Sequence, residues 1–483
     1  MVDDSPFLDL RQSKGVRRGP PAGEGGTVMH SSNKSFARRQ FLCIVALSAV
    51  VGFAAFAGEE SDGKTKWVAS WAASAHGPYP VGNAVAQPGL AFAFGSPAVG
   101  ANDQTFRLVL RPDLWGKKFR LRFSNVFGVK PLTIDDIHVG LQASAGAVVP
   151  DSNRPVAFAG RGSVTIQAGQ LAYSDPVELE YVSDAARFYL EGKKMAVSFH
   201  VVGTSGLMTW HAKSLQTSYV TSPGTGSHGA DEGDEAFPNS TTSWYFLDAV
   251  EVMAPADTLL VVAFGDSITD GTASTLNGDD RWPDDLSRRL HAAYGNRVSV
   301  VDEGIGGNRI LTPLVYTPQM PFSGGPNAIS RLERDVFSLG GVGAVVWLEG
   351  INDLSAGNTA GEVIAGIRQG AQLIHARGLK LIQGTITSAL GNNTANPALD
   401  VDRDNRRKSV NAFIRSAGIF ESVADMDTAT VNTATGMMRD EFLVNSTLAT
   451  IDHLHPNRAG YLSMARTIDI RVLAPPPRGS DGD

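Results

Sequence analysis

The chain has 483 residues, of which 42% are hydrophobic and 19% charged, with a net charge of -7. That length exceeds one compact core and suits two or more domains. The acidic balance and the lack of a long basic run exclude an electrostatic footprint for nucleic acid, so no such partner is expected.

Residues 1–57 are read as a disordered start followed by an export signal. Arg38 and Arg39 precede an apolar core from Phe41 to Phe56, and Ala55-Phe56-Ala57 fits small-x-small cleavage before Gly58. Met29 gives such a signal its usual length. "RRQFL" resembles a twin-arginine export signal, with Ala37 where Ser or Thr is usual. The apolar core is slightly short to span a bilayer. The mature chain is therefore expected to be secreted or periplasmic, with no stable membrane anchor after cleavage. The sole cysteine, Cys43, lies inside the signal. A chain cut before Gly58 has no disulfide, thiol nucleophile or thiolate metal site. Covalent catalysis must then use an oxygen or nitrogen nucleophile.

Residues 64–254 carry short alternating patterns. "KFRLRFSN" from Lys118 puts Phe119, Leu121 and Phe123 on one face and Arg120 and Arg122 on the other. "MAVSFHV", "FRLVLR" and "SVTIQAGQ" behave alike, and Gly, Pro, Asn and Asp separate the runs. Period-two strands with frequent turns predict antiparallel sheets in a sandwich-like domain.

From 256 to 474 the rhythm becomes strand then helix. Apolar runs fall at Leu259–Phe264, Val298–Val301, Val342–Leu348 and Leu379–Ile386, with a weaker one at Val423–Met426. Such runs suit parallel strands buried on both faces. Between two of them, Thr359 and Glu362 form a capping box. Val363, Ile364, Ile367, Ala371 and Ile374 then make an apolar stripe, and Gly378 supplies the stop. The alternation predicts a doubly wound α/β layer structure. Residues 475–483 are expected to be a disordered tail.

Ligands of parallel sheets bind beyond the carboxyl ends of the strands. The first run ends in Gly265-Asp266-Ser267, the second in "DEGIGGNR" and the third in "EGIND", while "IDHLHPN" lies near the C-terminus. Assigned roles make these tips one set. Ser267 is the candidate nucleophile, and it needs an adjacent base. His455 is the best candidate, since imidazole titrates in the right range. Asp452, three residues earlier, can hold its tautomer. The N–H groups of Ser267 and Gly307 and the Asn352 amide can stabilise an oxyanion.

These residues resemble the SGNH (GDSL-type) hydrolase superfamily. "GDS" at Gly265 resembles its first block, "GIGGN" its second, "GIND" its third and "DHLH" its D-x-x-H block. The blocks stand in family order within about 258–470, and Ile268 replaces the leucine of "GDSL". The resemblance implies a three-layer α/β/α sandwich around a parallel sheet. It also implies a Ser267-His455-Asp452 triad, with an oxyanion hole from Ser267, Gly307 rather than Gly306, and Asn352. No cofactor is implied. "WVASWAAS", "RLRFSNVFG" and "QTSYV" further resemble a β-rich domain that precedes this catalytic domain in some secreted bacterial relatives.

Each residue also has a plainer reading. Gly-Asp-Ser fits a turn or helix N-cap, Gly306-Gly307 a tight turn, Asn352 a turn residue and His455 a cap before Pro456. Asp266 and Asp353 are expected to brace loops, and His453 to be structural or to line the rim. Asn308 and Arg309 are candidates for substrate contact or loop support. The segment Pro313–Pro326 is a candidate pocket wall. An aspartyl phosphotransferase reading of Asp270-Gly271-Thr272 fails because Ile268 occupies the nucleophile position. A metal site at Asp452, His453 and His455 lacks an evident remaining shell, and none is expected. An acyltransferase on the same site and a non-catalytic exported polymer-binding protein are the alternatives. The expected function is hydrolysis of short-chain acyl or acetylated-carbohydrate esters, with a small-molecule or polysaccharide ester as partner.

Overall fold

The computed structural model describes residues 63–82, 90, 93–183, 187–313, 324–444 and 451–476. The expected export segment lies outside the described residues. So do most of the candidate pocket wall and most of the tail.

Antiparallel sheets build the chain up to residue 255. One centres on β1 (Thr65–Ala72), β3 (Lys118–Ser124) and β6 (Leu247–Pro255), in the order β1-β6-β3. A larger sheet is built on β2 (Asn102–Leu110), β4 (Leu132–Ser144) and β5 (Met195–Thr204), with β5 between the other two. The two sheets meet through aromatic side chains. Phe123 of β3 packs edge-on against Phe199 of β5, with centroids 5.1 Å apart. The alternation of β3 is present, but its polar face is not solvated. Arg122 is buried and donates to Asp248 Oδ1 at 2.7 Å and Ser338 Oγ at 2.8 Å. The α/β part of the chain covers that face.

The five remaining strands are parallel. They are β7 (Leu259–Gly265), β8 (Val298–Gly304), β9 (Val342–Leu348), β10 (Lys380–Gly384) and β11 (Ser422–Ala424), in the order β8-β7-β9-β10-β11. Every residue of β7 is buried, which explains its unbroken apolar run. The chain steps from β7 to one neighbour, β8, and then crosses to the other, β9. In open parallel sheets such a reversal marks where ligands bind, beyond the carboxyl end of the strand at which the order reverses, here β7. Helices alternate with these strands: α1 (Trp282–Tyr294), α2 (Ala328–Leu332), α3 (Ile351–Ser355), α4 (Ala360–Ala376), α5 (Pro397–Ser416) and α6 (Arg458–Arg466). The box at the start of α4 closes both ways. Thr359 Oγ1 accepts from the Glu362 N–H at 3.2 Å, and Glu362 Oε2 accepts from the Thr359 N–H at 2.8 Å. Val363, Ile367, Ala371 and Ile374 of its stripe are buried.

The described residues form one compact unit. Its β-rich and α/β parts are hydrogen-bonded together. Ala69 N–H donates to the Gly340 carbonyl at 2.9 Å, and Ser299 Oγ donates to the Ala69 carbonyl at 2.7 Å.

Candidate active site

Beyond Gly265 the chain makes one helical turn. The Gly271 N–H donates to the Ser267 carbonyl at 3.1 Å, and Asp266 Oδ1 accepts from the Ile268 N–H at 3.0 Å. This presents Ser267 at the tip of β7, which pairs with β8 on one side and β9 on the other. Gly304, at the end of β8, lets that turn lie close. A Cβ there would stand 2.2 Å from the Asp270 backbone nitrogen.

His455 comes from the loop before α6. Asn457 starts that helix by accepting from the Ala459 and Gly460 N–H groups. Ser267 Oγ lies 2.8 Å from His455 Nε2, although the two residues are 188 positions apart. His455 Nδ1 lies 2.5 Å from Asp452 Oδ2. The other carboxylate oxygen accepts the Leu454 and His455 N–H groups at 2.9 Å each. Burial works to raise the Asp452 pKa, but the bond to His455, its charge and the two backbone donors outweigh it and hold the carboxyl at about 2. An ionised carboxylate only accepts, so it selects the tautomer with the proton on Nδ1. The Nε2 lone pair then faces the serine hydroxyl.

Asn352 opens α3 and donates through Nδ2 to the Asn308 carbonyl at 2.9 Å. One amide hydrogen is thereby fixed and the second remains for a ligand. The tandem glycines differ. The Gly306 N–H donates to Asp270 Oδ2 at 2.8 Å, whereas the Gly307 N–H has no acceptor among the described residues. Gly307 sits at φ +78°, a conformation that L side chains rarely adopt.

The other candidates serve the loops. Asp353 is buried and accepts the Ile310 and Leu311 N–H groups at 2.9 and 3.0 Å. Burial raises its carboxyl above the ordinary value, while these donors and Arg309 pull the other way. Asn308 is fully buried, and its amide donates to the carbonyls of Gly324 and Pro326. It braces the loop and faces no open space. Asp266 is buried and raised to about 7, chiefly by burial. His453 has φ +55° and lies against Gly391.

Several supports have no signal in the sequence. His211 Nε2 lies 3.2 Å and Lys213 Nζ 4.0 Å from Asp270, and Lys213 also donates to Thr272 Oγ1. Burial opposes the charge of Asp270, yet His211 and Lys213 hold its carboxyl below the ordinary range. The β-rich part therefore grips the turn that carries Ser267. Asn392 Nδ2 donates to the Asp452 carbonyl at 2.7 Å and steadies the loop on the other side. None of these pairs follows a period or a motif.

Residues 263–462 match the model of the GDSL-like lipase/acylhydrolase family. This part of the chain is a GDSL-like acylhydrolase domain. The domain is a hydrolase, and the hydrogen-bonded chain Ser267-His455-Asp452 lies within it. No curated protein matches the chain. Among solved structures, the chain is similar to a member of the lipolytic G-D-S-L family from Veillonella parvula. Identity is 19%, with 44% of this chain and 96% of that one covered and a TM-score of 0.31. It is also similar to a GDSL-like lipase from Bacteroides thetaiotaomicron, at 18% identity with 45% and 88% covered and a TM-score of 0.32. A catalytic mutant of an acetylxylan esterase from Geobacillus stearothermophilus matches at 20% identity, with 45% and 94% covered and a TM-score of 0.31. The assignment of the GDSL-like domain rests on the family match.

Proposed function

We propose that the protein is an exported serine esterase acting through a Ser267-His455-Asp452 triad. The observation that carries this is the continuous chain from Ser267 Oγ to His455 Nε2 at 2.8 Å and from His455 Nδ1 to Asp452 Oδ2 at 2.5 Å. Ser267 Oγ attacks the ester carbonyl carbon as its proton passes to His455 Nε2. The N–H groups of Ser267 and Gly307 and the free Asn352 amide hydrogen stabilise the oxyanion. The carbon–oxygen bond to the alcohol breaks, and His455 returns the proton to the leaving oxygen. Water then gives its proton to His455 and its oxygen to the acyl carbon. The acid departs and the proton goes back to Ser267. Asp452 stays ionised throughout and stabilises the imidazolium.

The helices alternating with the parallel strands support a three-layer α/β/α arrangement. The antiparallel sheets meeting at Phe123 and Phe199 support a sandwich for the β-rich part. Short-chain acyl esters and acetylated carbohydrates are the proposed substrates, in keeping with the export signal read at residues 29–57.

The test is hydrolysis of p-nitrophenyl esters of graded chain length and of acetylated polysaccharides by purified protein. Acetyl release is expected, with Ser267→Ala abolishing it. A folded protein that hydrolyses none of these esters, or whose Ser267→Ala variant keeps the rate, sinks the reading. N-terminal sequencing of the exported protein, expected to begin at Gly58, tests the export step.

A further inference from the structure

We propose that Arg331 is a positioning residue for the hydrolysis proposed above, on which this inference rests. Arg331 is 1% exposed and lies near the end of α2, between the second and third blocks and outside both. Nη2 donates to the Gly265 carbonyl at 2.7 Å, the last peptide of β7 before Asp266-Ser267. Nη1 donates to the Glu303 carbonyl of β8 at 2.8 Å, and also meets Ser74 Oγ and Asp335 Oδ2, each at 3.1 Å. Nε donates to Asn308 Oδ1 at 2.8 Å. Asn308 in turn holds Asn352 through its backbone carbonyl at 2.9 Å. The guanidinium also stacks 3.9 Å from the centre of the Phe264 ring.

One rigid planar group thus fixes the strand tip that presents the nucleophile and the strand tip that leads to Gly307. Through Asn308 it also fixes the amide of Asn352. Neutralising a buried acid does not account for this geometry. Asp335 already has Arg334, 2.5 Å away. Two of the acceptors of Arg331 are instead backbone carbonyls at the strand tips, and a third is the side-chain amide oxygen of Asn308. A forked, fully charged donor can meet diverging acceptors at once, and a lysine ammonium cannot. Misplacing catalytic groups by about 1 Å can lower turnover roughly a hundredfold.

The experiment compares wild type with Arg331→Lys, which keeps a cation beside Asp335 but loses the fork. Active sites are counted with a fluorophosphonate that labels Ser267, and p-nitrophenyl acetate is the substrate. The expected result is a kcat per labelled site lowered about 10- to 100-fold, with KM changed less than about threefold. Asn308→Ala leaves the guanidinium in place and should lower kcat in the same way. It carries the test if Arg331→Lys does not fold. A folded variant with wild-type kcat per labelled site, even at a lower melting temperature, overturns the proposal. Wild type that is neither labelled nor active would instead remove the esterase reading, and this inference with it.

Discussion

Replacing Asp452 with asparagine isolates one task of the carboxylate, its control over which nitrogen of His455 carries the proton. The Leu454 and His455 N–H groups both point at Oδ1, at 2.9 Å. In Asp452→Asn these donors keep the amide oxygen in that place, so the NH2 group turns towards the ring. His455 Nδ1 must then accept, and the proton moves to Nε2, the atom that lies 2.8 Å from Ser267 Oγ. A nitrogen that already carries a proton cannot take the one from serine. Loss of the productive tautomer in a Ser-His-Asp system lowers kcat about 10⁴-fold, equivalent to ~5 kcal/mol in the barrier. Because the Asp452 carboxyl is held at about 2, it is ionised at the pH of the assay and acts there as an acceptor only. Initial rates with p-nitrophenyl acetate at pH 7, normalised to folded protein, give the comparison. An asparagine variant within tenfold of wild type refutes the reasoning, because the ring would then have reached its tautomer without the carboxylate.

Two further outcomes are expected. Asn352→Ala removes one oxyanion donor and should lower kcat by roughly a hundred- to a thousandfold with little change in KM, measured by steady-state kinetics. A rise in KM alone would place Asn352 in uniform substrate binding. Asp266 has its pKa raised from 3.8 to about 7, mainly by burial, so the folded chain holds this proton more tightly than the unfolded chain. Its stabilising contribution is full below pH about 4 and is lost as pH rises towards about 7, by up to roughly 4 kcal/mol. Asp266→Asn stays neutral and keeps the acceptor for the Ile268 N–H. Its stability relative to wild type should therefore grow between pH 5 and pH 8, read from urea midpoints. A pH-independent difference would contradict the raised value.

The sequence by itself determined the elements whose cause is local. Buried parallel strands read as unbroken apolar runs because both faces of Leu259–Gly265 and Val342–Leu348 meet other layers. The start of α4 was legible because a capping box is formed by residues three apart. The order of the small polar tips was legible for the same reason, since each follows its own strand directly. What the sequence could not decide was which distant residues meet those tips. Arg331 reaches Ser74 across 257 positions, and Lys213 reaches Thr272 across 59. Arg122 sits on the polar face of an alternating strand and is buried because a separate part of the chain covers it. The difference between Gly306 and Gly307 is also tertiary, since the carboxylate of Asp270 engages only the first of two neighbouring N–H groups. Periodicity and capping act over a few residues and leave a pattern in the chain. A buried hydrogen bond between remote segments is specified by their three-dimensional meeting alone and leaves none.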